Sequence, residues 1–306
     1  MGHPLPCRVQ ASGKTVVVLG AGYVGGAWAE ACAHGGAQVW ALTRNAERAM
    51  ALAAHGIHPV VADLASTDWH SQIPDRPDWV LNAVASGGGG EDGYRHAYLK
   101  GMQSVLDWAA QARPDTIIYT SSTSVYAQTG DVWVDETAPV EPALPTGRIL
   151  LEAEQCLIND AAGRAARWFI LRLAGIYGPG RHYLLDALAQ GQTVFPGSGD
   201  YRLNLIHRDD ILGALNTLFQ APPSLANRIF NAADDAPSPK AAITEWLAQR
   251  LGLPAPVFDP ATPSTRPSRR LAGDPPNRRI SNQALKAATP WRPRYPDYRA
   301  GYEAML

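Results

Sequence analysis

Apolar residues in this chain come in short unbroken runs separated by stretches of helical spacing, and that alternation predicts a fold class before any chemistry is considered. The run Thr15-Val-Val-Val-Leu19 is followed by Val24, Ala27, Trp28 and Ala31, spaced for one face of a helix that Gly35-Gly36 ends. Residues 38–43 (Gln-Val-Trp-Ala-Leu-Thr) form a second run, so the first unit reads as βαβ. Further buried-strand candidates lie at 60–62, 79–83, 116–120 and 168–173, with helices between them, notably 94–111 and 148–161. Strands that are apolar throughout, alternating with helices, predict an α/β protein with a doubly wound, mostly parallel sheet covered on both faces. Ligands of such sheets bind beyond the carboxyl ends of the strands.

The alternation breaks after Leu173. Tyr177-Gly-Pro-Gly180 and Phe195-Pro-Gly-Ser-Gly199 are turn-rich, and 253–276 is dense in proline. Apolar and aromatic residues resume after it (Ile280, Leu285, Trp291, Tyr295, Tyr298, Tyr302), which predicts an ordered, irregular part of a smaller second lobe.

The junction of the first strand and helix carries the most chemical information. Gly20-Ala21-Gly22-Tyr23-Val24-Gly25 places three glycines at Gly-x-Gly-x-x-Gly spacing between them. The first glycine allows a tight turn, the second lets backbone approach a phosphate, and the third lets helix pack on strand. Free N–H groups at the helix start favour an anion there, so the turn is read as a dinucleotide pyrophosphate site rather than a structural turn. Arg44 follows the second strand, where an acid would accept from an adenosine 2′-hydroxyl and an arginine accommodates a 2′-phosphate. Thr43-Arg44-Asn45 holds no acid, so NADP is expected; the plainer alternative is a solvated arginine capping the strand. Asp63-Leu64 closes the third strand within reach of an adenine edge, although Asp63 equally suits a turn or a helix cap. Ala83, Val84 and Ala85 end the fourth strand with small side chains, as backbone beside a cofactor needs, and 87–90 reads as a flexible glycine loop.

Composition narrows the partners. A net charge of −1 argues against nucleic acid or another polyanion. Cys7, Cys32 and Cys156 match neither a metal spacing nor a disulfide framework, so a reducing cytosol is expected. Residues 1–13 lack an apolar signal core, and no run is long enough to span a bilayer.

These motifs together resemble an extended short-chain dehydrogenase/reductase of the NAD-dependent epimerase/dehydratase superfamily, nearly end to end. The likeness rests on the glycine turn, Asp63-Leu64, Thr120-Ser-Ser-Thr-Ser-Val-Tyr126, Leu171-Arg-Leu-Ala-Gly-Ile-Tyr-Gly-Pro-Gly180, Asn204-Leu-Ile-His-Arg-Asp-Asp210 and Phe230-Asn-Ala-Ala-Asp234. It is similar above all to an atypical bacterial subgroup of nucleoside-diphosphate-sugar epimerases with variable active-site residues. The resemblance implies a Rossmann-type domain at 14–174, with 204–233 returning to it, and an interleaved C-terminal substrate lobe at 175–203 and 234–306. It also implies a small-molecule substrate and, by analogy, a homodimer through the two helices flanking the sheet.

The chain departs from the family where the family does its chemistry. Relatives use Ser, Tyr and Lys, with the last two in Tyr-x-x-x-Lys; a nearby ammonium brings the phenol down from about 10 towards neutrality. Alignment puts Thr146 and Leu150 at those positions, and no Tyr-x-x-x-Lys occurs anywhere in the sequence. Ser122 aligns with the family serine that hydrogen-bonds the reacting oxygen; its plainer role is strand-end hydrogen bonding. Tyr126 and Tyr98 are the leading candidates to supply the proton, ahead of Tyr177 and Lys100, and Thr146 is a poor base. Each tyrosine can instead be a packing aromatic. His207 with Asp209 and Asp210 suggests a metal site only weakly: Asp210 is expected to cap a helix 211–219, His207 to pack at the lobe junction, and no metal is expected. Tyr177 and Arg181 are substrate-side candidates at the lobe junction. Arg266, Arg269, Arg270, Arg278 and Arg279 form a basic stretch that either binds a substrate phosphate or is a solvated loop. The expected function is an NADP-dependent oxidoreductase or epimerase-like enzyme with a non-standard proton donor; the alternative is a catalytically inactive NADP sensor.

Overall fold

The computed structural model describes residues 9–262 and 276–306. Cys7, Arg266, Arg269, Arg270 and most of the proline-rich stretch lie outside the described residues. The apolar runs become strands β1 (Thr15–Leu19), β2 (Gln38–Thr43), β3 (His58–Val61), β4 (Trp79–Asn82), β5 (Thr116–Ser122) and β6 (Arg167–Leu173), and a seventh strand, β7 (Arg228–Ala232), forms where the apolar pattern predicts none. All pair parallel in the order β7-β6-β5-β4-β1-β2-β3, a Rossmann-like sheet whose order reverses between β1 and β4.

The main helices are α1 (Tyr23–His34), α2 (Ala46–Ala53), α3 (Gly101–Ala112), α4 (Pro145–Asp160) and α5 (Arg208–Phe219). One face of the sheet buries a trio of rings, Trp28 of α1, Trp79 and Phe219, with Trp28 and Phe219 stacked at 5.5 Å and Trp79 and Phe219 at 5.2 Å. The other face buries Met102, Val105, Leu106 and Ala109 of α3 with Ala153 and Leu157 of α4. A third apolar cluster is separate from both and gathers Tyr177, Leu184, Leu188, Phe195, Ile243, Leu247, Tyr298 and Tyr302. The smaller lobe therefore has its own core. Two ladders lie within it, Val257–Asp259 on Val194–Pro196 and Arg202–Leu203 on Ser238–Pro239, and two more, Leu205–His207 on Gly175–Tyr177 and Arg278–Ile280 on Val132–Val134, join it to the larger domain.

Three helices also differ from the sequence expectation. The helix expected over 94–111 is three segments: a short α-helix Gly90–Tyr94, a π-helical stretch Arg95–Lys100, and α3. Apolar spacing alone does not reveal that change of winding. α4 begins at Pro145, whose missing N–H costs nothing in a first turn. α5 begins at Arg208 and is capped by His207, whose Nδ1 accepts from the Asp209 N–H at 3.2 Å. Asp210 is not the cap: it sits in the first turn, and its carboxylate takes the backbone N–H groups of Arg294 (2.6 Å) and Tyr295 (3.1 Å). No helix among the described residues is long and apolar enough to cross a membrane.

Candidate functional site

The glycine turn connects β1 to α1 at the carboxyl edge of the sheet. Gly20 has φ +93°, and a Cβ there would lie 2.7 Å from the Val84 backbone, so the turn and the end of β4 touch. A Cβ at Gly25 would overlap the Gly20 carbonyl oxygen, which explains why the helix needs glycine where it crosses the strand end. Gly22 is different: a Cβ would meet nothing within 4 Å. It is the N-cap of α1 and offers no side chain to the first-turn N–H groups, so no side chain caps them. These residues fit a dinucleotide pyrophosphate.

Beside the turn, the end of β2 and the segment after β3 converge. Arg44 is exposed; its Nη2 donates to the Ser86 carbonyl at 3.4 Å and its Nη1 lies 3.9 Å from the Asp63 carboxylate. Asp63 accepts from the Ala65 N–H at 2.8 Å and pairs with His96 at 3.0 Å. Burial pulls the Asp63 carboxyl upward, but the Ala65 N–H, His96 and Arg44 together hold it below its usual range. The turn expected at Asp63 is thus made by one carboxylate oxygen, and His96 holds the other. Thr43 is half-buried, with Oγ1 accepting from the Asn45 N–H at 3.2 Å. Leu64 corrects the expectation: its side chain is core, packed beneath Gly101, and its carbonyl is taken by the Trp69 indole at 3.1 Å. Ala83 and Val84 are half-buried and Ala85 exposed, with the Ala83 N–H on the Leu19 carbonyl at 2.8 Å. Gly87, Gly88, Gly89 and Gly90 all have positive φ.

Across the sheet edge, Ser122 ends β5 half-buried, and its Oγ accepts from the Ser124 N–H at 3.1 Å. Tyr98 projects from the π-helical stretch, half-buried, its ring 5.0 Å from that of Tyr94. Burial pushes its phenol up to about 12, Tyr94 adds to this, and the Ser86 backbone opposes it. Thr146 is half-buried in the first turn of α4, and Leu150 is buried on the same helix.

Tyr126 does not join this group. It is 1% exposed, donates to Asn231 Oδ1 at 3.0 Å and accepts from Arg172 Nη1 at 2.8 Å. Arg172 is in turn held by the fully buried Glu154 (Nη2 to Oε2 2.6 Å), which also accepts from the Ser121 hydroxyl at 2.6 Å. Tyr126 is thus one rung of a buried polar ladder joining β5, α4, β6 and β7. Burial raises its phenol although Arg172 and Asn231 pull the other way. Sequence reasoning missed the ladder; Glu154 and Arg172, two charges at apolar-run positions, were its signal.

At the lobe junction Tyr177 is core, its ring 5.0 Å from Tyr302 and 5.2 Å from His207, which corrects its expected role at the substrate. His207 is buried, and burial drops its imidazole to about 4, Asp209 raising it and Arg208 and Arg294 lowering it. Arg181 is exposed. With Arg208 it flanks the ring of Tyr23 (5.4 and 5.2 Å to the centroid), while the Tyr23 hydroxyl donates to the Pro179 carbonyl at 3.0 Å. The glycine turn therefore touches the second lobe through Tyr23. Arg48, also missed, donates to the Ala21 carbonyl at 3.3 Å and to Glu30 at 3.0 Å, clamping α2 to the turn. Among the described residues no cluster of His, Cys, Asp or Glu could hold a metal ion.

Comparison with known proteins agrees with this geometry. The sequence pattern of the NAD dependent epimerase/dehydratase family matches residues 16–233. Protein YeeZ of Escherichia coli (strain K12) is 32% identical over 250 residues, covering 80% of this chain and 86% of that protein. A conserved protein of unknown function from Silicibacter pomeroyi superposes with a TM-score of 0.74 at 26% identity, covering 95% and 98% of the two chains. UDP-glucuronic acid 4-epimerase from Bacillus cereus, solved with UDP-glucuronic acid and NAD, superposes with a TM-score of 0.78 at 18% identity, covering 95% and 97%, and shares the fold.

Proposed function

The chain belongs to the NAD dependent epimerase/dehydratase family, and on that premise we propose that it is an NADP-using oxidoreductase or epimerase-like enzyme for a small polar carbonyl or hydroxyl substrate. A nucleotide sugar is the substrate class held by a neighbour of the same fold. The observation that carries the reading is the open side of the turn at Gly22, on the same sheet edge as Ser122. Backbone from Gly20 to Gly25 would hold the pyrophosphate, Thr43 and Arg44 the ribose with its 2′-phosphate, Asp63 the adenine edge, and Ala83 to Ala85 the flank. When bound, the nicotinamide supplies or accepts a hydride. Ser122 orients the reacting oxygen and Tyr98 handles the proton, since the hydroxyl of Tyr126 is used up inside the protein. Thr146 lines the cleft, and Arg181 meets a substrate anion from the lobe 175–203 and 234–306. We place the enzyme in the cytosol, dimeric through α3 and α4.

A second reading is favoured by a specific observation: neither Thr146 nor Leu150 can lower the pKa of a phenol as the family lysine does. It is a dinucleotide sensor without turnover. Following NADPH and NADH absorbance against small carbonyls, together with chromatographic detection of epimers formed from UDP-sugars, separates the two. Turnover with any of them supports the enzyme; cofactor binding with no turnover across the screen supports the sensor.

A further inference from the structure

The strand Arg278–Ile280 brings an arginine to the carboxyl end of β5 from far along the chain. Asn204 pins that strand, donating from Nδ2 to the Arg278 carbonyl at 2.9 Å and accepting from the Ile280 N–H at 2.6 Å. The residue is 8% exposed. Its Nη2 donates to the carbonyl of Thr123, the residue after Ser122, at 2.9 Å, while its buried Nε has no protein acceptor. No acidic side chain among the described residues pairs with it; burial lowers the guanidinium to about 10, and Tyr126 is the nearby group that raises it. The next residue shows what a satisfied arginine looks like here: Arg279 holds Asp131 through Nε at 2.9 Å and Nη2 at 2.5 Å.

A buried guanidinium without a counter-charge is costly, and such groups mark places where a ligand brings the charge. We propose that Arg278 is the receptor for an anionic group of the substrate, a carboxylate or a phosphate, seated beside Ser122. The unused Nε edge of its planar fork suits a side-on oxyanion. The second lobe thereby provides the positive charge that Leu150 cannot. The inference takes only the position of the cleft from the function proposed above.

The test uses the full chain, with and without saturating NADPH, in melting and calorimetric titrations. The probes are glucuronate for the carboxylate and inorganic phosphate for the phosphate, with glucose and sodium chloride as controls. At least one anion should bind saturably and raise the melting temperature beyond the salt control. Arg278→Gln should weaken that binding by about tenfold or more and leave NADPH affinity unchanged. Arg278→Lys, which keeps the charge and loses the fork, should fall between and serves if the glutamine variant does not fold. Arg278→Met, in anion-free buffer, should melt no lower than the native protein. The proposal is overturned if neither anion exceeds sodium chloride, if the Gln and Lys variants bind it as the native protein does, or if the Met variant is much less stable. Anion binding through Arg278 in a protein that takes up neither nicotinamide cofactor would defeat the proposed function alone.

Discussion

Tyr126 and Tyr98 are the same residue type with opposite surroundings, and their phenylalanine variants should fail in opposite ways. Removing the Tyr126 hydroxyl strands Arg172 Nη1 and Asn231 Oδ1 in the interior. Tyr126→Phe should therefore lose about 1–3 kcal/mol of stability in urea denaturation, with cofactor affinity intact. Tyr98→Phe should cost little stability but lower turnover by about a hundredfold or more; turnover unchanged would remove Tyr98 from the chemistry. His207 adds a pH effect. Its folded pKa, near 4, is depressed from 6.5, so the neutral ring is favoured in the native state and its contribution to stability is present above 6.5. That contribution is lost as pH falls from 6.5 towards 4, up to about 3 kcal/mol in all. Asp210, raised by burial to about 6, acts oppositely in much of the same window, so the effect is read as the difference between native protein and His207→Gln. A difference that does not change with pH would contradict this account of the buried ring.

Among the elements, the ladder Ser121–Glu154–Arg172–Tyr126–Asn231 ties the β5-β6-β7 side of the sheet to α4 through buried polar groups. Breaking its ion pair from one side leaves a buried charge, so Glu154→Gln or Arg172→Met should cost about 3–5 kcal/mol, seen as a lower denaturation midpoint. Its absence from the sequence reading has a physical reason: its members come from four elements, with Tyr126 and Asn231 separated by 105 residues. The glycine turn was legible because its logic is local, three glycines between an adjacent strand and helix. Six of the seven strands were legible for a similar reason, each being an apolar run of its own; β7, in which Arg228 and Asn231 interrupt the apolar residues, was not. Arg278 was hidden in a basic stretch that suggests a solvated loop, and only its pairing with Val132–Val134 buries it. The π-helical winding at Arg95–Lys100 leaves no mark in apolar spacing, yet it sets where Tyr98 and His96 project.

For the whole molecule, the sheet carries two apolar cores on its faces, and a third gathers separately around Tyr177, Phe195 and Tyr302. Tyr23 bridges the two lobes, its ring in contact with Arg181 and with Arg208 of α5 and its hydroxyl on the Pro179 carbonyl. The proposed enzyme reading depends on the first lobe holding a nicotinamide dinucleotide. The most direct measurement is a fluorescence titration of native protein and Gly22→Ala with NADPH and NADH, alongside their melting curves. A methyl at Gly22 meets no protein atom within 4 Å, so the variant should melt like the native protein while its cofactor affinity collapses. The native protein should bind both forms, NADPH more tightly because of Arg44. No affinity for either cofactor, or a Gly22→Ala variant that binds as the native protein does, would contradict the account.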